Sequence, residues 1–335
     1  MNKIKMDANE NPIMHNIDIK DVVGKVNPRE YPDITCAAIK ESLAELCKCN
    51  MDEILCTNGS DMLIKIITFM LVGSDETIIM PEVAFPTYRI AADLKGCNYY
   101  LSPLKDYKID LEDMYKNITK DTKLIWLSNP HNPTGTLLDY RSIISFLDRV
   151  DKDIFVVLDE AYAEFVEGEL METFNFREKY PNLIVLRTLS KAYGLAGARI
   201  GYAIASGEII KKLYKFVGPF DLNSYAQELG VAVLRDRDYI KKVQQINGIE
   251  MTKYVTFLNL INIQFIKSYT NFIMIHTKEL TEKVYKELLA NNIHVKNGEK
   301  IGMPGWLRIS INLNHNNDKV INIIKTIYCK NEGTA

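Results

Sequence analysis

The sequence predicts an α/β protein, with a large domain on a mainly parallel sheet and a smaller C-terminal α+β domain. Three observations predict it. From about residue 53, short runs rich in Ile, Val and Leu alternate with stretches carrying apolar residues at helical spacing, and strand–helix alternation builds parallel sheets. The runs lack polar alternation, as do strands covered on both faces. From about Asn223 the texture changes to long helical stretches followed by short strands.

In chain order, residues 1–34, with Pro12, Pro28 and Pro32, read as an extended arm before the helix "TCAAIKESLAELCK". Residues 35–240 form the large domain. Its strands are "EILCT", "ETIIM", "KLIWLS", "IFVVLDE", "LIVLRT" and "RIGYAIA", with helices at "SDMLIKIITFML", "PTYRIAADLKG" and "YRSIISFLDRV". Ser60 or Asp61 is expected to N-cap the first of these helices. A helix, a short turn and a longer linking helix then lead into the small domain, residues 241–335. It consists of "NFIMIHT", a helix near 279–291, "IHVKN", "WLRISI" and a terminal helix.

Composition narrows the function classes. The 335 residues are 47% hydrophobic and 25% charged, with a net charge of −2. That suits a globular protein with a sizeable core and leaves no electrostatic footprint for nucleic acid or an anionic membrane. The N-terminus lacks the apolar core of a signal peptide, and "MLIKIITFMLVG" is too short to span a bilayer and contains Lys65. The six cysteines then read as reduced, in a cytoplasmic protein. Histidine spacing suggests no zinc or other metal site.

Polar clusters sit where the strands should end, which is where an α/β sheet binds its ligand. "SNPHNPTG" turns sharply after Ser128 and presents Asn129, Asn132 and Thr134, or is an ordinary turn. "VVLDEAY" ends an apolar strand with Asp159 and Glu160. A carboxylate there either meets a cation or ligand, or caps a helix. "TNGSDM" opens a helix whose N–H groups suit a phosphate, although many such turns bind nothing. "TLSKAYGLAGARIGY" adds Ser190, Lys191 and Arg199. Alone, Lys191 reads as a loop residue facing water. Together these parts suit an aromatic, phosphorylated cofactor that forms an imine with lysine.

The ordered motifs "DANENP", "REYPD", "TNGSDM", "PEVAFPTY", "NPHNPTG", "VLDEAY", "TLSKAYGLAGARIGY", "PFDLNSYAQ", "TNF" and "WLRISI" run nearly end to end. In them the chain resembles the pyridoxal-phosphate enzymes of fold type I, and among these the histidinol-phosphate aminotransferases. The resemblance implies pyridoxal 5'-phosphate as cofactor and transamination between L-histidinol phosphate and 2-oxoglutarate. It implies that Lys191 carries the cofactor as an imine and shuttles the proton. Asp159 faces the pyridine nitrogen, Asn132 and Tyr162 the ring oxygen, and Phe85 or nearby Tyr88 stacks on the ring. Ser60, Asp61, Ser190 and Arg199 surround the phosphate. Tyr31 reaches the phosphate of a neighbouring subunit's cofactor, so a homodimer with shared sites is implied. Arg308 receives an anionic substrate group, and Asn9, Glu10 and Asn11 flank the substrate.

The sequence departs from the family on the substrate side. "SINLNHNND" follows Arg308 where Gly-Thr and acidic residues are usual, and "VKNGEK" has lysine where arginine is usual. The arm starts almost at "DANENP", where relatives have a further N-terminal segment. Threonine-phosphate decarboxylase and an aminotransferase for aromatic or other amino acids are the alternatives, with "DANENP" and "DEAY" favouring the first reading. A ligand-sensing domain is a remote one, since the chain has neither the length nor the basic charge for an added DNA-binding domain.

Overall fold

In the computed structural model, residues 3–166 and 173–332 are described. Seven strands form the large sheet in the order Ile54–Asn58, Ile200–Ile204, Leu183–Thr188, Phe155–Asp159, Thr122–Ser128, Thr77–Pro81 and Asn98–Ser102. Ile200–Ile204 is antiparallel to both neighbours, and the other pairings are parallel. The unbroken apolar runs are two faces interleaved. Leu124 and Trp126 pack into one buried layer, and Ile125 and Leu127 into the other. All six strands read from the sequence form. The unread one, Asn98–Ser102, is an edge strand that sends Tyr99 to one layer and Tyr100 to the other.

The helices Ala37–Cys47, Ser60–Leu71, Pro86–Lys95 and Tyr140–Arg149 stand where their spacing predicts. Neither Ser60 nor Asp61 caps the second of them. The cap is Gly59, at φ 83°, a conformation open to glycine.

The small sheet has the order Ile4–Met6, Ile293–Asn297, Trp306–Ser310, Phe272–His276 and Gln264–Ile266. The helices Thr281–Ala290 and Asn314–Glu332 accompany it. Arg237–Leu260 joins the two regions, giving Tyr254, Phe257 and Leu258 to the core of the small sheet and Val243 to a cluster with Tyr162.

The arm departs from the extended segment expected. Ile4–Met6 pairs in parallel with Ile293–Val295, and Met6 is fully buried in the small core. Ile19–Gly24 is a short helix capped by the Asp18 side chain. Prolines bound these pieces without excluding them. Anchored by its first strand, the chain then passes Asp7, Ala8 and Asn9 over the ends of the large sheet.

Candidate active site

Three parallel strands end at Ser128, Asp159 and Thr188, and all three residues line one cavity of about 320 Å³. A larger open hollow of about 860 Å³, between the arm and the terminal helix, holds Glu10 alone among the candidate residues.

Asp159 is buried at the end of its strand. Its Oδ1 accepts the Ala161 N–H, and its Oδ2 accepts the Tyr88 hydroxyl at 2.5 Å. Neither bond caps a helix. Desolvation raises its pKa to about 6, with Tyr88 and the Ala161 N–H acting against that rise. Tyr88 is fully buried and stacked on Trp126 at 4.6 Å, so half-buried Phe85 is the aromatic ring presented at the cavity wall.

At one end the helix Ser60–Leu71 presents its first turn, a helix start that suits an anion, with the Met62 N–H bonded to the Gly59 carbonyl. Arg199, held at φ 58°, donates to Asp61 Oδ2 at 2.9 Å. Two glycines allow this approach. A Cβ at Gly59 would stand 2.5 Å from Arg199 Nη2, and one at Gly201 only 2.2 Å from the Ser60 nitrogen. Ser190 completes this end.

Lys191 Nζ donates to the Ala8 carbonyl at 2.9 Å and lies 5.6 Å from the centre of the Tyr162 ring. The Tyr162 hydroxyl accepts from Asn9 Nδ2 at 2.8 Å. Asn9 is itself fixed by Ser310 and Asn271, through its backbone and its side-chain oxygen.

On the opposite wall Arg308 is buried. Its Nη1 donates to Asn132 Oδ1 at 2.5 Å and its Nη2 to the Asp7 carbonyl at 3.0 Å, while Nε has no partner among the described residues. Desolvation pulls its pKa below the usual arginine value. Lys296 pairs with Arg308 across two antiparallel strands and lines the same cavity. Among the described residues, neither cation has an ion pair. Opposed like charges repel unless an anion joins them.

The cavity thus gathers Lys191, Asp159, Tyr162, Ser60, Asp61, Phe85, Asn132, Ser190, Arg199 and Arg308. Other candidates lie elsewhere. Tyr31 is 82% exposed and stacks on Phe220. Glu10 pairs with Lys5, and Asn11 donates to the Ala192 carbonyl and the Tyr239 hydroxyl. Asn129 closes its own loop through Leu138, and Thr134 through Thr136.

Sequence reading missed Lys296 as a cavity residue, the Tyr88–Asp159 bond and the arm carbonyls. Lys296 was discoverable. In "IHVKN" the buried Ile293, Val295 and Asn297 alternate with His294 and Lys296, which puts Lys296 on the other face.

A buried acid, an anion-suited helix start, an aromatic wall and a lysine around one cavity fit a flat, phosphorylated, imine-forming cofactor. The aminotransferase class I and II family matches residues 1–327. A histidinol-phosphate aminotransferase from Caldicellulosiruptor saccharolyticus is 34% identical over 327 residues, covering 97% of this chain and 91% of the relative. The crystal structure of histidinol-phosphate aminotransferase from Sinorhizobium meliloti in complex with pyridoxal-5'-phosphate has a TM-score of 0.91 at 22% identity, covering 97% and 91% of the two chains. L-threonine-O-3-phosphate decarboxylase from Porphyromonas gingivalis has a TM-score of 0.81 at 22% identity, covering 97% and 99%. The chain therefore belongs to the aminotransferases of class I and II, pyridoxal-phosphate-dependent transaminases, and within them groups with the histidinol-phosphate aminotransferases.

Proposed function

We propose that this protein transfers the amino group of L-histidinol phosphate to 2-oxoglutarate, giving imidazole acetol phosphate and L-glutamate. The observation that carries the substrate assignment is the register pair of Lys296 and Arg308, two cations in one cavity, neither with an ion pair among the described residues although Asp7 lies near Arg308. A phosphate on the amino donor, or a carboxylate on the acceptor, would relieve their repulsion and satisfy the unpaired Arg308 Nε.

In this reading Lys191 would hold the cofactor covalently, and its Nζ, once free, would take and return the α-proton. Asp159 would hold the ring nitrogen, Asn132 and Tyr162 the ring oxygen, and Phe85 one face. Ser60, Asp61, Ser190 and Arg199 would enclose the phosphate. When bound, pyridoxal phosphate supplies an electron sink for the charge left on the substrate's α-carbon. Asn9 is the arm residue that reaches the site, through Tyr162.

Exposed Tyr31, stacked on Phe220, supports a homodimer in which Tyr31 completes the partner's phosphate site. A cytoplasmic setting fits the six free cysteines. Among the described residues, no helix is long and apolar enough to cross a membrane.

The test is a panel of histidinol phosphate, threonine phosphate and aromatic amino acids, each with 2-oxoglutarate and with product identification. Glutamate formed fastest from histidinol phosphate supports the reading. Carbon dioxide released from threonine phosphate at an equal or higher rate replaces it with the decarboxylase.

A further inference from the structure

His131 stands in the "NPHNPTG" turn between two residues that line the cavity, Pro130 and Asn132, and the proposed function leaves it unused. Its backbone closes its own turn. The N–H donates to the Thr136 carbonyl at 2.8 Å, and the carbonyl accepts the Gly135 N–H at 2.7 Å. Its buried ring reaches two other segments. Nδ1 lies 2.6 Å from Ser128 Oγ, at the end of a central strand, and Nε2 lies 2.8 Å from the Val83 carbonyl.

The partners set the role of each ring nitrogen. A carbonyl only accepts, so Nε2 carries the proton. Burial lowers the His131 pKa to about 4, which leaves Nδ1 bare at neutral pH to accept the Ser128 hydroxyl proton. One neutral ring thus accepts from a strand end and donates to a loop.

That loop, residues 82–85, joins the strand Thr77–Pro81 to the helix Pro86–Lys95. It is tied at one end by the Glu82 N–H to the Ser102 carbonyl, and at the other by the Phe85 carbonyl to the Tyr88 N–H. Between these ties the Val83 side chain packs against a buried cluster of the small sheet that includes Met274 and Trp306. Ala84 and Phe85 line the cavity. The carbonyl held by His131 belongs to the peptide joining Val83 to Ala84, so turning it moves the chain that leads to Phe85. Without its donor this carbonyl would face buried side chains, and it would gain by turning toward water.

We propose that His131 is a positioning residue that holds Phe85 at the cavity wall through its hydrogen bond to the Val83 carbonyl. The consequence for binding rests on the reading in which Phe85 covers one face of the cofactor.

The test is the equilibrium dissociation constant of pyridoxal phosphate for the full-length protein, in single and double variants. His131→Asn keeps an oxygen near the Nδ1 position for Ser128 but is too short to reach Val83. It should weaken binding about tenfold, the effect of one lost hydrogen bond. His131→Gln places an amide N–H near the Nε2 position and should bind within about threefold of the parent. Phe85→Ala should weaken binding as well. In that background His131→Asn should add less than about twofold, because residues acting through one another are not additive. An undiminished loss in the Phe85→Ala background overturns the proposal, since His131 would then act by another route. So does His131→Gln binding as poorly as His131→Asn, or His131→Asn binding as the parent does. If His131→Asn does not fold, Ser128→Ala takes its place in the cycle. It frees the ring to turn from Val83 and should give a smaller loss that also vanishes without Phe85; no loss, or one that persists, overturns the proposal. Phe85→Ala binding like the parent would remove the cofactor-face reading itself, whereas additive losses remove only the role of His131. No substrate takes part, so the histidinol-phosphate assignment stands or falls separately.

Discussion

Gly201 and Ser60 touch backbone to backbone: a Cβ on Gly201 would stand 2.2 Å from the Ser60 nitrogen. That closeness seats the start of the helix Ser60–Leu71 against the strand after Lys191, and so shapes the anion end of the cavity. Backbone atoms cannot swing aside as a flexible side chain would. Gly201→Ala should cost about 1–3 kcal/mol and weaken retention of pyridoxal phosphate. Melting temperature and equilibrium dissociation of the cofactor check both effects. Parent values for both would mean that the helix start moves freely.

Lys191 should carry the cofactor. Borohydride reduction of the loaded protein, followed by peptide mapping, is expected to place the adduct on Lys191. Lys191→Ala should give no adduct. An adduct on another lysine would refute the assignment.

Asp159→Asn should separate fold from function. An amide cannot keep the ring nitrogen protonated, and loss of such an electrostatic partner costs about 10²–10³ in rate. Stability should move the other way. The folded-state pKa of about 6 lies above the usual 3.8, so the folded protein binds more protons between these values. Stability from this group is complete below the unfolded value and is lost as pH rises through about 6. Without cofactor at pH 8, Asp159→Asn should therefore melt no lower than the parent, with a gain of up to about 3 kcal/mol. Chemical denaturation at pH 8 and pH 5 checks it, with the advantage shrinking at pH 5.

Much of this site was legible because its chemistry sits at strand ends. "KLIWLS", "IFVVLDE" and "LIVLRT" are mainly apolar runs, and their strands end at Ser128, Asp159 and Thr188, which line the cavity. What stayed hidden depends on long-range pairing. No local pattern says that Ile4–Met6 adds to a strand near residue 293, or that Lys296 faces Arg308. Tyr88 reads as one more aromatic on an amphipathic helix, and only the packing of that helix brings its hydroxyl to Asp159. Glu10 and Asn11 sit in the same short motif as Asn9, yet the sharp turn at Asn9, φ 57°, sends them away from the cavity.

Tyr31 lies outside the cavity of its own chain, so its effect should appear only across a dimer. Tyr31→Phe should weaken cofactor retention while leaving attachment at Lys191 intact. Mixed dimers of Tyr31→Phe and Lys191→Ala chains should hold one site with both parent residues and one with neither. Cofactor titration showing no tight site in the mixture would contradict the shared arrangement.

Arg308 decides the central claim, that this transaminase recognises a phosphorylated amino donor. Arg308→Lys keeps charge but loses the forked donors, so both half-reactions should weaken while cofactor absorbance is unchanged. The most direct measurement is the ratio of kcat/KM for histidinol phosphate over unphosphorylated histidinol, in the parent and in Arg308→Ala. The ratio should be large in the parent, on the order of 10² or more for a charge-assisted contact of about 3 kcal/mol, and should collapse in Arg308→Ala. Equal handling of the two compounds by the parent would contradict phosphate recognition, and with it the histidinol-phosphate assignment.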